Sequence, residues 1–178
     1  MLEIVLEIIL SLFFAGAGYW AMLKFLTARG EQHIPFLKSN KFRIGYFVVI
    51  ALVCGGFIYL FQTKYIDTTT MHQIKLLTLV LILIPTAVVD YFVQLIPNVF
   101  MLGALGIRIT LYFVEFMLSP EYAWITVKDN LLAVGIICGF FLLILLLFKN
   151  SIGMGDIKLF AIMGLYQGFF GAINSVFF

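Results

Sequence analysis

Six long apolar stretches, separated by short polar segments, dominate the pattern of hydrophobic and polar positions along this chain. Each stretch approaches the roughly 20 residues that an α-helix needs to cross the hydrocarbon core of a bilayer. The pattern therefore predicts six transmembrane helices, and the short connections predict that consecutive helices are antiparallel neighbours. These predicted spans one to six cover residues 8–26, 44–61, 74–92, 98–118, 131–148 and 157–178.

The composition agrees with a chain that has lipid as its main solvent. Of the 178 residues, 63% are hydrophobic and 11% are charged. In a soluble domain, about a quarter of all residues are charged. We therefore expect an all-α, polytopic membrane helical bundle that forms one integral-membrane domain over residues 1–178. The net charge of +2 and the lack of a long basic tract argue against a nucleic-acid partner.

The distribution of lysine and arginine predicts the orientation, because cytosolic loops carry an excess of these residues. They are concentrated around the connections after spans one and five: Lys24, Arg29, Lys38, Lys41, Arg43, Lys149 and Lys158. The opposite connections are predicted to carry Lys64, Lys75 and Lys128. We therefore expect a multi-pass protein of the plasma (inner) membrane, with the connection between spans three and four also in the cytosol and both termini outside.

Two acids are predicted at the cytosolic membrane face, Asp90 in the last turns of span three and Asp156 at the start of span six. Acids at such depth usually face the protein interior or a wet cavity. Two facing carboxylates can share one proton, so that one accepts a proton from water while the other donates to a peptide carbonyl. The alternative is that each acid caps a helix or pairs with a lysine at the interface.

Distinct local sequences accompany the two acids. Asp156 lies in residues 153–159, Gly-Met-Gly-Asp-Ile-Lys-Leu, where two glycines permit a sharp bend and the close approach of a second segment. Asp90 is followed by residues 96–98, Ile-Pro-Asn. Pro97 cannot continue the preceding helix, and Asn98 is predicted to cap span four. A simple hairpin turn would also explain the proline and asparagine.

This combination of motifs, together with Gly164, resembles the type IV prepilin peptidase family, which includes archaeal preflagellin peptidases and short Tad-type enzymes. The resemblance covers spans three to six. It implies a membrane aspartyl endopeptidase of the GxGD type with Asp90 and Asp156 as the catalytic pair. Gly153 and Gly155 would shape the turn, and Lys158 would belong to the motif. The substrate would be a prepilin-like protein, cut on the cytosolic side between its basic leader and its hydrophobic helix.

The chain departs from the larger bacterial members of that family. Those members carry a long cytosolic segment after the first helix, often with paired cysteines, and also methylate the new N-terminus. Here that connection has about 15 residues and no cysteine, so we expect no zinc site, no cofactor, and cleavage without methylation. Larger members also continue with further helices. This chain is therefore expected to be either a short member of the family or a chain that lacks C-terminal helices.

Two other classes of function use similar residues. One is an intramembrane protease resembling presenilin or signal peptide peptidase, although the proline-alanine-leucine motif of that group has no clear match here. The other is a small transporter or proton relay that uses the same two acids. A transporter is expected to show an internal repeat or paired broken helices. A structural scaffold or an inactive remnant is a further alternative.

Other polar and small residues have simpler interpretations. Arg108, about ten residues into span four, is predicted to snorkel or to pair with Glu115 or a carbonyl. Small residues such as the pair Gly164 and Gly168 are predicted to allow close helix packing, within one chain or in a homo-oligomer. The remaining candidates are two histidines expected in loops without a metal, His33 and His72, two cysteines expected in the core, Cys54 and Cys138, and four further glycines expected at helix contacts, Gly16, Gly18, Gly55 and Gly56.

Overall fold

A computed structural model of the chain describes residues 2–30, 34–64, 69–148 and 153–177. These residues are almost entirely helical and contain no strand. The helices are α1 Leu2–Arg29, α2 Ile34–Leu37, α3 Asn40–Thr63, α4 Thr70–Val93, α5 Asn98–Leu118, α6 Pro120–Leu147 and α7 Met154–Phe177. Three residues that enter the sequence predictions, His33, Lys149 and Phe178, lie outside the described residues.

Six of these helices, all except the four-residue α2, are long and apolar enough to cross a membrane. The predicted all-α polytopic fold is therefore confirmed. The chain divides into two compact units, Met1–Gln94 with α1 to α4 and Leu95–Phe178 with α5 to α7. The predicted single domain stays a prediction, and each unit is described separately.

In the first unit, α1 packs against α3 and α4. Their apolar faces enclose a buried cluster that includes one of the two predicted core cysteines: Ala15, Tyr46, Ile50, Cys54, Leu77 and Leu81. The short α2 is held against α1 by a hydrogen bond of 2.9 Å from the Tyr19 hydroxyl to the Leu37 carbonyl. This contact orders part of the basic connection between α1 and α3.

A proline and a glycine meet where α1 crosses α4. Pro85 lies inside α4, yet the helix continues without a break from Thr70 to Val93. A Cβ on Gly18 would lie 3.1 Å from Pro85 Cγ and 3.2 Å from the Tyr46 hydroxyl. Gly18 therefore permits the close helix approach that was predicted for it. At Gly16, Gly55 and Gly56 a Cβ would meet no atom within 4 Å, so the predicted packing within one chain is wrong there. Packing of these glycines in a homo-oligomer stays a prediction.

In the second unit, α6 and α7 form the most extensive helix pair. The rings of Phe141 and Phe160 stack with centroids 4.7 Å apart. A Cβ on Gly164 would lie 3.4 Å from the Val134 backbone nitrogen, so α7 approaches the α6 backbone closely at this glycine. This confirms the packing role predicted for Gly164.

Several ionisable residues that we counted with the connections lie inside helices instead. Because α6 begins at Pro120 rather than near residue 131, Lys128 belongs to that helix. Its ammonium group lies 5.4 Å from the centre of the Trp124 ring, and this cation–π contact helps a charged side chain to lie within an apolar helix. His72 and Lys75 lie in the first two turns of α4, where Lys75 is buried. Apolar runs therefore underestimated the lengths of these two helices.

The last helix, α7, is interrupted at Gly168, which has φ 73° and ψ −174°. This backbone conformation is accessible almost only to glycine. A Cβ at this position would also overlap the Asp129 carboxylate and lie 3.2 Å from Asn130 Oδ1. Gly168 therefore serves the close-packing role predicted for it against α6, and it also breaks the helix, which was not predicted.

Candidate active site

Asp156 is the third residue of α7 and has an exposed side chain. The Gly153 carbonyl accepts from the Asp156 N–H at 3.1 Å and from the Ile157 N–H at 3.4 Å, which starts the helix. A Cβ on Gly153 would lie 3.1 Å from Asp156 Oδ2, so the glycine leaves room for the carboxylate beside the turn. A carboxylate in the first turn of a helix is stabilised by the partial positive charge of that terminus.

Gly155, the second residue of α7, lies against Ile96. A Cβ on Gly155 would approach the Cβ of Ile96 to 3.2 Å, which is tighter than ordinary packing. Ile96 is buried, and the glycine allows the segment before α5 to pack directly on the first turn of α7. The first and second glycines of the motif therefore make room for different neighbours, the Asp156 carboxylate and Ile96.

Asn98 does not cap α5 as predicted. The cap residue is Pro97, whose extended backbone has φ −69° and ψ 127° and whose carbonyl accepts from the Phe100 and Met101 N–H groups. Asn98 is the first residue of the helix, so its side chain is available for another contact. Its Oδ1 accepts a hydrogen bond of 2.9 Å from the Lys158 ammonium group.

The second unit thus brings together the Ile-Pro-Asn turn and the glycine motif, which lie about 60 residues apart in sequence. Two contacts join them, Ile96 with Gly155 and Asn98 with Lys158. The same polar pair lines an apolar groove of about 460 Å³ between α5 and α7. The other lining residues are Met101, Leu102, Leu105, Ala161, Ile162 and Leu165.

Asp90 lies in the last turn of α4, as predicted, and its side chain is exposed. Its carbonyl accepts a 2.7 Å hydrogen bond from the Gln94 N–H. Gln94 adopts a left-handed backbone conformation with φ 50°, which ends the helix. Asp90 therefore belongs to the first unit and Asp156 to the second, and their partnership stays a prediction.

A buried polar network centres on Arg108, which has no exposed side-chain surface. The guanidinium group donates to Glu115 at 3.0 and 3.4 Å and to the Leu165 carbonyl at 2.9 Å. It also lies 3.7 Å from the centre of the Tyr112 ring. The prediction that Arg108 pairs with Glu115 or a carbonyl is confirmed, because it contacts both.

Sequence reasoning missed the other members of this network. The Asn130 amide donates to the Tyr112 hydroxyl at 2.8 Å, and the fully buried Tyr166 donates to the Ala104 carbonyl at 2.8 Å. Outside the buried network, exposed Asp129 accepts from the Phe169 N–H at 3.3 Å. Asp129 and Asn130 escaped notice because the fifth span was predicted to begin after them. The available signal was the presence of these two polar residues in the stretch from Trp124 to Leu147, which could form one long helix.

The chemistry of the described site is that of carboxylate, amide and ammonium groups. Among the residues that the structure describes, no three histidine, cysteine or acidic side chains cluster in a way that could hold a metal ion. Exposed Asp156 lies near the joined motifs, and its carboxyl group can accept or donate a proton. Lys158 and Asn98 can donate hydrogen bonds to carbonyl oxygens of an extended peptide.

Comparison with models of known protein families gives a match. The model described as the type IV leader peptidase family matches residues 76–178, which is more than half of the chain. The matched region includes Asp90 and both motifs. Searches of the curated proteins and of the solved structures found no match.

Proposed function

Since this chain belongs to the type IV leader peptidase family, we propose that it is a membrane aspartyl endopeptidase. Its substrates are type IV prepilin-like precursors, from which it removes the leader. Asp90 and Asp156 form the catalytic pair. The cut is made at the cytosolic face of the plasma (inner) membrane.

The observation that carries this proposal is the junction of the two motifs at the start of α7. Ile96 packs on Gly155, and Asn98 accepts from Lys158, beside the exposed Asp156. A simple hairpin turn would not need these contacts. The junction gives the glycines and the lysine of the motif a physical role, because the glycines make room and the lysine contacts the turn.

The proposed reaction requires the two carboxyl groups to share one proton and to bind one water molecule. The ionised carboxylate accepts a proton from the water, whose oxygen attacks the scissile carbonyl carbon. The protonated carboxyl donates its proton to the carbonyl oxygen and so stabilises the tetrahedral intermediate. Collapse of that intermediate breaks the C–N bond. The protonated carboxyl gives its proton to the leaving amine, and the other carboxylate takes a proton from a hydroxyl of the diol, which becomes the new carboxyl group. The pair ends with one proton, as it began.

The substrate class fits the positions of the acids in their helices. Asp90 lies at the end of α4 and Asp156 at the start of α7, where apolar helices meet polar segments. A precursor whose apolar helix lies in the bilayer presents its leader junction at the same level. Cleavage there does not require unfolding of the substrate helix. The basic residues between α1 and α3 would repel a basic leader, and we assign them to topology or anionic lipid.

The test is leader removal in cells that co-express the protein with a candidate prepilin, followed by gel mobility. Asp90→Asn and Asp156→Asn are each expected to abolish cleavage, because neither amide can take the proton from water. Glu121→Gln is the matched control, since it removes an exposed acid in the first turn of α6. The control is expected to cleave at the wild-type rate.

Other assignments of the two acids would give different results. Persistent cleavage by both aspartate variants would show that these acids are not the catalytic pair. If no prepilin is cut but proton flux into vesicles depends on both acids, the relay is correct. The interruption of α7 is a feature that transporters use, although the other long helices are continuous over the described residues.

A further inference from the structure

The interruption at Gly168 separates two backbone groups that a continuous helix would join. In an α-helix the N–H of residue 169 donates to the carbonyl of residue 165. The non-helical backbone of Gly168 lies between these groups. In a lipid environment an unpaired backbone group is strongly unfavourable because no water can replace its partner, so both groups at the break need other partners.

Two charged side chains from neighbouring helices supply those partners. Arg108 of α5 donates through Nε to the Leu165 carbonyl at 2.9 Å. Asp129 of α6 accepts through Oδ2 from the Phe169 N–H at 3.3 Å. The positively charged Arg108 thus donates to the freed carbonyl, and the negatively charged Asp129 accepts from the freed N–H.

The two anchors hold different halves of α7. Arg108 holds Leu165, which belongs to the half that precedes the break and carries Asp156. Asp129 holds Phe169, at the start of the half that follows the break. Because the continuous backbone hydrogen bonding stops at Gly168, the angle between the halves depends on these side chains rather than on the helix itself.

We propose that Arg108 and Asp129 are positioning residues that set the direction of the first half of α7 and thereby place Asp156. Asp156 precedes Gly168 by 12 residues, which corresponds to about 18 Å of helix. A change of roughly 10° at the break would therefore move its carboxylate by about 3 Å. The consequence for catalysis rests on the proposed function, whereas the placement itself does not.

The placement is measured by dipolar coupling between two spin labels in the purified protein. Labels at Met154→Cys and Leu146→Cys report the distance from the start of α7 to the end of α6, and both positions are exposed. The labelled chain carries Cys54→Ala and Cys138→Ala, because these are the other two cysteines of the sequence. Cleavage is measured separately, without labels, as kcat and KM on a prepilin in detergent micelles.

The key variant is Asp129→Leu, because Asp129 is exposed and its removal leaves no buried charge. It is expected to shift or broaden the label distance and to lower kcat by about a hundredfold with little change in KM, since misplacement by about 1 Å can have that effect. Asp129→Asn retains an oxygen acceptor, so we expect its label distance and its kcat to be close to those of the wild type. Lys128→Gln, a change on the same turn of α6, is the control.

The partner variant is Arg108→Leu combined with Glu115→Gln, which removes the Leu165 anchor without leaving a buried carboxylate unpaired. It is expected to shift the same label distance. Unchanged distances in both anchor variants would overturn the proposal, as would a loss of cleavage without a distance change. A shifted distance in a protein whose wild type cuts no prepilin would support the placement and contradict the proposed function.

Discussion

Two transmembrane helices of this protein each contain a residue that disfavours helix, with opposite results. In α4, Pro85 removes a backbone N–H from the helix interior, yet the helix continues to Val93. In α7, Gly168 retains its backbone N–H, yet the backbone leaves the helical conformation at this residue. Intrinsic helix propensity predicts the reverse, because proline costs about 3 kcal/mol in a helix interior and glycine about 1 kcal/mol.

The difference shows how neighbouring helices decide whether a helix breaks. Pro85 packs against Gly18 of α1, which leaves room for the ring. At Gly168 the neighbours supply an acceptor for one freed backbone group and a donor for the other. A break in lipid is stable where such partners exist. The break in α7 therefore requires Gly168 for its backbone conformation. It requires Arg108 and Asp129 to form hydrogen bonds with the freed backbone groups.

The largest expected effect is that of Gly168→Ala. Alanine is strained at φ 73° and ψ −174°, and its Cβ would overlap the Asp129 carboxylate. We expect the free energy of unfolding in mixed detergent micelles to fall by about 3 kcal/mol or more. Gly139→Ala on α6, where a Cβ meets no atom within 4 Å, should change it little. A small effect of Gly168→Ala would mean that α7 can close into a continuous helix.

Gly18→Val is expected to have an intermediate effect. The added side chain would press on Pro85 and on the buried Tyr46 hydroxyl, so α1 and α4 must separate. We expect a loss of about 1–3 kcal/mol, the usual cost of overpacking. Gly16→Val on the same helix is the matched control, because a Cβ there has open space. Equal losses in the two variants would show that helix propensity, not the crossing, is responsible.

The smallest effect is expected for Pro85→Ala. Alanine restores the N–H and its hydrogen bond but removes ring contacts with α1, and these changes oppose each other. The free energy of unfolding should therefore change by less than about 1 kcal/mol in the same micelle assay. A loss as large as that of Gly168→Ala would show that Pro85, rather than Gly18, organises the crossing of α1 and α4.

Hydropathy predicted the six long helices well, because burial in lipid requires a continuous apolar run that the sequence displays directly. It failed where charged residues extend a helix beyond that run. Lys128 was assigned to a connection although it lies in α6, and Lys75, at the edge of predicted span three, was counted with the preceding connection although it lies in the second turn of α4. Their long apolar stems allow a charged end to lie beside an aromatic ring or another polar partner, which a hydropathy average does not register.

The site was predicted in part. The positions of Asp90 and Asp156 at helix ends follow from local sequence, and the structure confirms them. The contact between Asn98 and Lys158 joins residues about 60 positions apart, so no local rule could find it. Asn98 was assigned as a cap because asparagine favours that position, but the preceding proline already occupies it with a suitable extended backbone.

The break in α7 could not be predicted from the sequence around Gly168 alone. A glycine four residues after another glycine is typical of close helix packing, and Gly164 has that role here. Gly168 also lies close to α6, and its additional role as a break depends on Asp129 and Arg108, which belong to other helices. A polar side chain in a neighbouring span that needs a hydrogen-bond partner is the sequence feature that indicates such a break.

The ion pair between Arg108 and Glu115 also bears on the order in which the protein is assembled. Both residues belong to α5 and are two helical turns apart, so the pair can form before α6 and α7 have been synthesised. An arginine at the centre of an inserting helix costs about 2.5–3.5 kcal/mol, and an internal counter-ion reduces that cost during biogenesis. The Arg108 Nε then remains available for the Leu165 carbonyl, so the interrupted helix enters a bilayer in which its donor is already in place.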